Sequence, residues 1–367
     1  MKSHLMYFPL AACGFAALAL YGCGGGSSEQ GVPRATTNAY QGAGSSWTLR
    51  SDSDGSCMLT EADSNLKVYA ICSKLSSGFT KIFVAGTTGG AAPLKPATGD
   101  VTYAFEVDGY MMPFKSFSEG KVVPTVSAGN CVSSINHNYI VSFAKLKDDN
   151  DTFAGWSHLG NYTIDSSGMK INGYQANGTK VYDNVPRDFT LAGCSGGLLK
   201  GTENGEVTSF YLTQNGGAIL HQDRTNSTTN NGSAGSAEND FMLPATNDVA
   251  TLAGLDGNYI GFAITSNKTG TYNTTPVSVA ANNGAFTVSS RTGADLATAT
   301  VGHSTFTLTT KVSTSLYRGS LSHTNAGGSI GCAINSNIAN QKIVICSGID
   351  PADPTNKTLF SVILKSV

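Results

Sequence analysis

The clearest indication of the fold lies in residues 331–347, which read GCAINSNIANQKIVICS. Two short apolar runs, each with one cysteine, lie on either side of a polar turn. Residues 56–73, SCMLTEADSNLKVYAICS, repeat the arrangement near the other end of the chain. The spacing within each pair of cysteines fits a β-hairpin whose strands are joined by a disulfide across the ladder. The sequence therefore predicts two stapled hairpins, with the pairs Cys57–Cys72 and Cys332–Cys346.

The remaining apolar segments have the same character. They are short and β-branched or alternating, as in residues 81–85 (KIFVA) and 359–364 (LFSVIL), and they are separated by Gly and Asn. Charged residues make up only 13% of the chain, and there are 43 glycines, a balance that favours strands and turns over solvated helices. The pattern predicts an all-β protein with antiparallel sandwich-like or barrel-like domains.

Two segments poor in core-forming residues divide the chain. Residues 23–46 are predicted to form a flexible tether, and residues 224–246, rich in Ser, Thr, Asn and Gly, a polar linker. The sequence thus predicts one β-domain over residues 47–223 and a second over residues 247–367.

Short similarities connect these two predicted domains. Residues 189–191 and 306–308 both read FTL, and residues 200–202 (KGT) resemble residues 318–320 (RGS). Together with the cysteine hairpins, these similarities suggest that one β-module is used twice. In the first copy the order of the pieces is permuted, with the cysteine hairpin at the front, and residues 87–150 are inserted.

The six cysteines of the predicted mature body are an even number, which in an exported chain favours disulfides. After the two hairpin pairs, Cys131 and Cys194 remain to pair over a longer loop. No C-x-x-C motif supports zinc binding or redox activity.

The first residues have the anatomy of a secretory signal: Lys2, an apolar run from Leu5 to Tyr21, and a glycine-rich stretch directly after it. The end of this segment, Leu20-Tyr21-Gly22-Cys23, resembles the lipobox of bacterial lipoproteins. The resemblance implies that residues 1–22 are removed and that Cys23 carries the lipid. It also implies an address in the bacterial cell envelope, with the outer membrane favoured and the exposed face left open.

Several classes of ligand have little support in the sequence. The net charge of −2, with no basic stripe, argues against nucleic-acid binding. No motif for a cofactor is present. His137, His158, His221, His303 and His323 are scattered without metal-ligand spacing. Residues 148–151 (DDND) are acidic enough for a weak calcium site but depart from the EF-hand order, and we interpret them as a solvated turn.

Two patterns could carry chemistry or ligand contacts. Ser195 lies in a G-x-S-x-G string but lacks the strand–turn–helix setting of a nucleophile elbow, and Cys194 beside it favours a structural turn. The aromatic side chains near residues 100–117 could form a sugar-stacking platform, although the Tyr103/Phe105 alternation favours a buried strand face. Further aromatic candidates for this platform are Trp47, Trp156, Tyr110, Phe114 and Phe117.

The sequence is therefore interpreted as a lipid-anchored, non-enzymatic protein of the cell envelope with a binding, adhesive or structural role. Its ligand would be a protein or a glycan. The alternative is an exported hydrolase of cell-wall or sugar polymers, with Glu106, Asp108, Asp148 and Asp151 as candidate acids and bases.

Overall fold

The computed structural model contains strands, turns and two short 3-10 segments, with no α-helix among the residues that it describes. Those residues are 35–367 except 43–44, 62–63, 91–94, 108–111, 118–121, 124, 128, 146–158, 167, 175–179, 204–205, 214–216, 224–236, 267–271, 324–325, 339 and 350–358. The predicted all-β, antiparallel class is confirmed. The predicted signal segment and Cys23 lie outside the described residues, as does the acidic run 148–151.

Sheet one has nine strands in the order β8-β7-β6-β5-β4-β3-β2-β1-β9. Strands β1 to β8 form a meander, and β9 returns to pair with β1. The strands are β1 (Thr36–Gly42), β2 (Ser45–Ser51), β3 (Ser56–Glu61), β4 (Lys67–Lys74), β5 (Thr80–Thr88), β6 (Val101–Ala104), β7 (Phe114–Lys115), β8 (Val122–Val123) and β9 (Val126–Ser127).

Sheet two also has nine strands, in the order β13-β12-β11-β10-β18-β17-β16-β15-β14, so that two meanders meet where β10 pairs with β18. The strands are β10 (Ile135–Lys145), β11 (Leu159–Asp165), β12 (Gly168–Tyr174), β13 (Lys180–Arg187), β14 (Phe189–Ser195), β15 (Leu198–Glu203), β16 (Glu206–Leu212), β17 (Ala218–Asp223) and β18 (Ala237–Pro244).

The last eight strands form a closed barrel in simple up-and-down order, with β19 pairing to β26. They are β19 (Gly257–Ser266), β20 (Tyr272–Asn282), β21 (Ala285–Thr292), β22 (Thr298–Ser313), β23 (Leu316–His323), β24 (Ala326–Ile338), β25 (Gln341–Ile349) and β26 (Leu359–Ser366). Full closure leaves this sheet without an unpaired edge.

A central core lies between the two open sheets and the outside of the barrel. It includes Phe79 and Phe105 from sheet one, Ile140 and Phe241 from sheet two, and Phe262 and Ile345 from the barrel. Because these barrel strands pack against one core outside and another inside, residues 343–346 (IVIC) and 360–364 (FSVIL) are buried on both faces. This explains why their sequences are nearly continuous apolar runs rather than alternating ones.

Close approaches hold the sheets against the barrel. A side chain at Gly331 in β24 would place its Cβ only 2.4 Å from the Leu159 side chain of β11. The barrel and sheet two can therefore approach this closely at Gly331 because glycine has no side chain. Sheet one is joined to the barrel by Lys81, whose Nζ lies 2.6 Å from Asp295 Oδ1.

The structure contains three disulfides, Cys57–Cys72, Cys131–Cys194 and Cys332–Cys346, the same pairs that the sequence predicts. Cys332 and Cys346 are direct partners across β24 and β25, whereas Cys57 and Cys72 are related diagonally, since Cys57 is opposite Ala70. Cys131–Cys194 links the segment before β10 to β14.

Three predictions of organisation differ from the structure. Residues 36–42, placed in the flexible tether, form β1, which pairs along its length with β2 and buries Tyr40. Residues 237–244, placed in the polar linker, form β18, whose apolar part (Phe241, Met242 and Leu243) is buried. Residues 47–223 contribute to two sheets, so the cysteine hairpin of β3 and β4 does not share a sheet with the FTL strand β14. The supposed insertion 87–150 contains strands of both sheets, including the β10 that pairs with β18.

Candidate functional site

The candidate site is a pocket at one end of sheet one, here called the mouth pocket. In an antiparallel meander, the start of one strand and the end of the next lie at the same end of the sheet. The mouth pocket therefore lies where six strand termini meet: the starts of β1, β3 and β5 and the ends of β2, β4 and β6. The residues that line the pocket are Thr36, Asn38, Leu49, Ser51, Asp52, Gly55, Ser56, Cys72, Lys74, Thr80, Ile82, Ala104, Glu106 and Met112.

The mouth pocket has an apolar floor and a polar rim, with a volume of about 280 Å³. Leu49, Ile82, Ala104 and Met112 in the floor are buried and belong to the core of sheet one. The rim carries hydroxyl, amide and charged side chains. Ligand sites commonly combine apolar walls with a few placed polar groups.

Glu106 is an acidic side chain of the mouth pocket whose carboxylate is surrounded by Asn38, Tyr40 and Lys74. Its Oε1 accepts hydrogen bonds from Tyr40 Oη and, at 3.4 Å, from Asn38 Nδ2. Lys74 Nζ lies 4.0 Å from Oε2, and the Lys74 side chain is 73% exposed whereas that of Glu106 is 19% exposed. Hydrogen bonds from Tyr40 and Asn38 thus fix the Glu106 carboxylate, whereas the Lys74 side chain is mostly in solvent.

The barrel supports the position of Glu106. Lys365 of β26 is buried, donates a hydrogen bond to the Glu106 backbone oxygen, and lies over the Phe105 ring at 5.4 Å from its centroid. Phe105 itself is buried in the central core. The strand end that carries Glu106 is therefore anchored to a second sheet, which limits its movement.

A second carboxylate, Asp52, also lines the mouth pocket. Its Oδ1 lies 3.2 Å from Arg50 Nη2, and Ser56 Oγ donates to Oδ2 at 3.5 Å. Arg50 balances the charge of Asp52, whereas Lys74, the cation paired with the Glu106 carboxylate, is 4.0 Å away and mostly exposed. Glu106 is therefore the carboxylate of the pocket that is available to a cationic ligand group. The site is suited to a ligand that presents a cationic group above an apolar stem.

The other residues singled out in the sequence occupy structural positions. Ser195 is exposed at the end of β14, and a two-residue turn, Gly196-Gly197, connects it directly to β15. Both glycines have positive φ, as such a tight hairpin requires. Since a strand rather than a helix follows, Ser195 does not lie in a nucleophile elbow.

The histidines that the structure describes lie on different strands and do not form a cluster. His137 is buried on β10, His221 is half-buried on β17, and the strand positions of His303 and His323 are on β22 and β23. His158 lies outside the described residues. Within the described part of the chain, no three His, Cys, Asp or Glu side chains converge as metal ligands.

The aromatic residues proposed as a platform are mainly core residues. Phe105 and Phe114 are fully buried, and Trp47 packs edge-on against Phe114 with ring centroids 5.3 Å apart. Tyr103 packs against the central core and Phe117 against the core of sheet one. The buried interpretation is confirmed for Trp47, Phe105 and Phe114, whereas Tyr103 and Phe117 are only partly buried. Tyr110 and Trp156 lie outside the described part, as do Asp108 and Asp151.

One surface feature was missed by the sequence analysis. Ile71, Phe83 and Val101 are exposed and are direct neighbours across β4, β5 and β6, with exposed Tyr69 beside them. Their sequence neighbours Ala70, Ile82 and Val84 are buried. Apolar residues on both faces remove the alternation by which the solvent face is normally identified.

No protein-family model and no curated protein matches the chain. Among solved structures, it is similar to transferrin-binding protein B of Haemophilus parasuis at 12% identity, over 89% of this chain and 66% of that one (TM-score 0.28). The isotype 1 protein of Neisseria meningitidis matches at 14% identity, over 88% and 65% (TM-score 0.26). The chain thus spans about two thirds of these two proteins.

A protein of unknown function from Nostoc punctiforme, of the DUF3598 family, matches at 10% identity over 64% of this chain and 94% of that one (TM-score 0.24). At this level of backbone agreement, none of these proteins indicates a function for the chain. In the part of the chain that the structure describes, no helix has the length and apolar character needed to cross a membrane.

Proposed function

We propose that the chain is a lipid-anchored protein of the bacterial cell envelope that binds a protein partner through the mouth pocket and catalyses no reaction. The observation that carries the binding proposal is the carboxylate of Glu106, held by Tyr40 and Asn38 at the rim of an apolar pocket. A lysine or arginine side chain of the partner would place its stem on the floor and its charge beside Glu106.

The surroundings of the two carboxylates favour binding over hydrolysis. A glycosidase needs two carboxyl groups that are both open to the scissile bond. Glu106 instead accepts hydrogen bonds from Tyr40 and Asn38, and Asp52 is paired with Arg50. A carboxylate has about four acceptor positions, so Glu106 can still accept a hydrogen bond from a cationic group of a partner.

The binding proposal is tested with a minimal cationic probe. N-acetyl-arginine amide is titrated into the full chain and into Glu106→Gln, with the chemical shifts of residues around the pocket as readout. We expect saturable shifts in the wild type and binding at least about tenfold weaker in the variant, because a charge-assisted hydrogen bond contributes about 1.5–3 kcal/mol. Glutamine keeps the shape and the acceptor oxygen, so the fold is preserved.

Two controls sharpen this experiment. N-acetyl-citrulline amide has the same shape without the charge and should not bind. Asp183→Asn removes an exposed carboxylate of β13 outside the pocket and should leave arginine binding unchanged. Equal binding of arginine to the wild type and Glu106→Gln would contradict the proposal. Degradation of a cell-wall polymer that is lost in Glu106→Gln would instead favour the hydrolase.

The anchoring part of the proposal rests on the sequence Leu20-Tyr21-Gly22-Cys23 and its resemblance to a lipobox. We expect labelling by palmitate in the wild type and release of Cys23→Ser into a soluble fraction, because the thiol is the site of acylation. Acyl chains contribute about 0.8 kcal/mol for each buried methylene, enough in combination for a stable anchor. Membrane retention of an unlabelled Cys23→Ser variant would refute lipid anchoring.

A further inference from the structure

Sheet two carries a second pocket, at its contact with the barrel and independent of the mouth pocket. Its lining consists of Asn136, Asn138, Asn161, Asn172, Tyr174, Ala245, Ser313 and Thr314, and its volume is about 290 Å³. Every polar side chain among these residues is an uncharged amide or hydroxyl. We refer to the site as the asparagine pocket.

Three of the asparagines form a row across neighbouring strands. Asn138 of β10 is opposite Asn161 of β11, and Asn161 is opposite Asn172 of β12. Asn136 is two residues before Asn138, on the same face of β10. Asparagine is disfavoured in strands, so four such residues converging on one face require an explanation beyond strand formation.

The row is ordered by its own hydrogen bonds. Asn161 Nδ2 donates to Asn136 Oδ1 at 2.9 Å and to Asn138 Oδ1 at 3.2 Å. Asn138 is buried, and its Nδ2 donates to the Thr314 backbone oxygen of the barrel at 2.8 Å. Asn172 Oδ1 accepts from the Asn184 backbone N–H at 2.8 Å.

These bonds leave part of the hydrogen-bonding capacity unused. Both hydrogens of Asn161 Nδ2 are engaged, but its Oδ1 has no partner among the described residues. Within the same described set, Asn136 Nδ2 and Asn172 Nδ2 also have none. The pocket thus offers one acceptor between two donors on an ordered row.

We infer that the asparagine pocket binds a neutral carbohydrate. A sugar hydroxyl both donates and accepts, so adjacent hydroxyls match the alternation of amide donor and acceptor groups. An ionic ligand would lose its hydration without a charged partner in the lining. A peptide would need apolar recesses for its side chains, whereas Ala245 and the Tyr174 ring are the main carbon surfaces of this lining.

The test uses methyl glycosides of galactose, mannose, glucose and N-acetylglucosamine as probes, with the full chain in detergent and saturation-transfer NMR. We expect at least one glycoside to bind the wild type. Asn136→Asp should weaken that binding by about tenfold or more, because it replaces a donor by a charged acceptor. It retains the acceptor oxygen for Asn161, so the row itself is preserved.

Asn282→Asp serves as the matched control, since Asn282 is an exposed strand asparagine of the barrel outside this pocket. It should bind the glycoside like the wild type. Failure of every glycoside to bind, or equal binding by Asn136→Asp, would overturn the inference. A neutral acetylated peptide that binds in their place and depends on Asn136 would overturn it as well. None of these outcomes depends on Glu106, so the two binding proposals fail separately.

Discussion

Asp248 connects the segment before the barrel to the turn between two barrel strands. It precedes the first barrel strand and contacts the turn between β22 and β23. Its Oδ1 accepts hydrogen bonds from Tyr317 Oη at 2.8 Å and from the Ser315 backbone N–H at 3.1 Å, and Lys311 pairs with Oδ2. Since Thr314 of the same turn receives the hydrogen bond from Asn138, Asp248 also supports the asparagine pocket.

These contacts shift the pKa values of both acidic partners. Partial burial raises the pKa of Asp248, but hydrogen bonds from Lys311 and Tyr317 outweigh burial and leave it below its ordinary value. Burial and the hydrogen bond to Asp248 raise the pKa of Tyr317. The ionised carboxylate and the protonated phenol are therefore the forms that the folded state prefers.

We predict that Asp248→Asn lowers the free energy of unfolding by about 1–3 kcal/mol at neutral pH, because the ion pair with Lys311 is lost and the hydrogen bonds from Tyr317 and Ser315 then go to a neutral acceptor. A carboxyl whose folded pKa is depressed stabilises the protein above its unfolded pKa of about 3.9. This contribution disappears as the pH falls through the folded pKa. In urea unfolding, the free energies of unfolding of the wild type and of Asp248→Asn should therefore converge below about pH 4.

The control for this prediction is Asp183→Asn, which removes an ion pair whose carboxylate side chain is 76% exposed. Exposed pairs contribute about 0–1 kcal/mol, so its unfolding curve should nearly match that of the wild type. A gap between wild type and Asp248→Asn that stays constant from neutral to acidic pH would contradict the assignment.

At the scale of elements, two hairpins with similar sequences have the same internal register. In β14–β15, Thr190 is opposite Thr202 and a bulge follows Leu191. In β22–β23, Thr307 is opposite Ser320 and a bulge follows Leu308. The FTL and K/R-G-S/T similarity thus corresponds to one hairpin form used in two sheets.

Strand β18 is the element that most changes the expected organisation. It pairs on one side with β17 and on the other with β10, in the middle of sheet two. Met242 and Phe241 are opposite Ala218 and Ile219, and all four are buried. A cut between these two strands would therefore leave their pairing and packing in place.

We predict that a specific protease site introduced within residues 224–236 yields two fragments that remain associated. After cleavage they should elute together in gel filtration under native conditions and separate in denaturant, since six described residue pairs join β17 to β18. Uncleaved protein provides the elution standard. Separation of the fragments without denaturant would contradict the pairing and favour two independent domains joined by a linker.

For the whole molecule, the two open sheets share a core with the outside of a closed barrel. The barrel also contains a core of its own, with Phe286 stacked on Phe306 at 4.5 Å between centroids. The mouth pocket is lined by strand ends of sheet one, whereas the asparagine pocket lies where a strand face of sheet two meets the turn between β22 and β23. In both pockets, strands hydrogen-bonded into a sheet hold the polar groups in place.

Local sequence patterns determined the all-β class, the hairpin cysteine pairs and the buried position of Phe105. These features depend on strand period and on residues near each other in the chain, so short segments encode them. The two pockets depend instead on partners distant in sequence, such as Tyr40 with Glu106 and Asn138 with Thr314. Only the tertiary structure decided them, because strand order and register bring such residues together and no local pattern specifies which distant strands will pair.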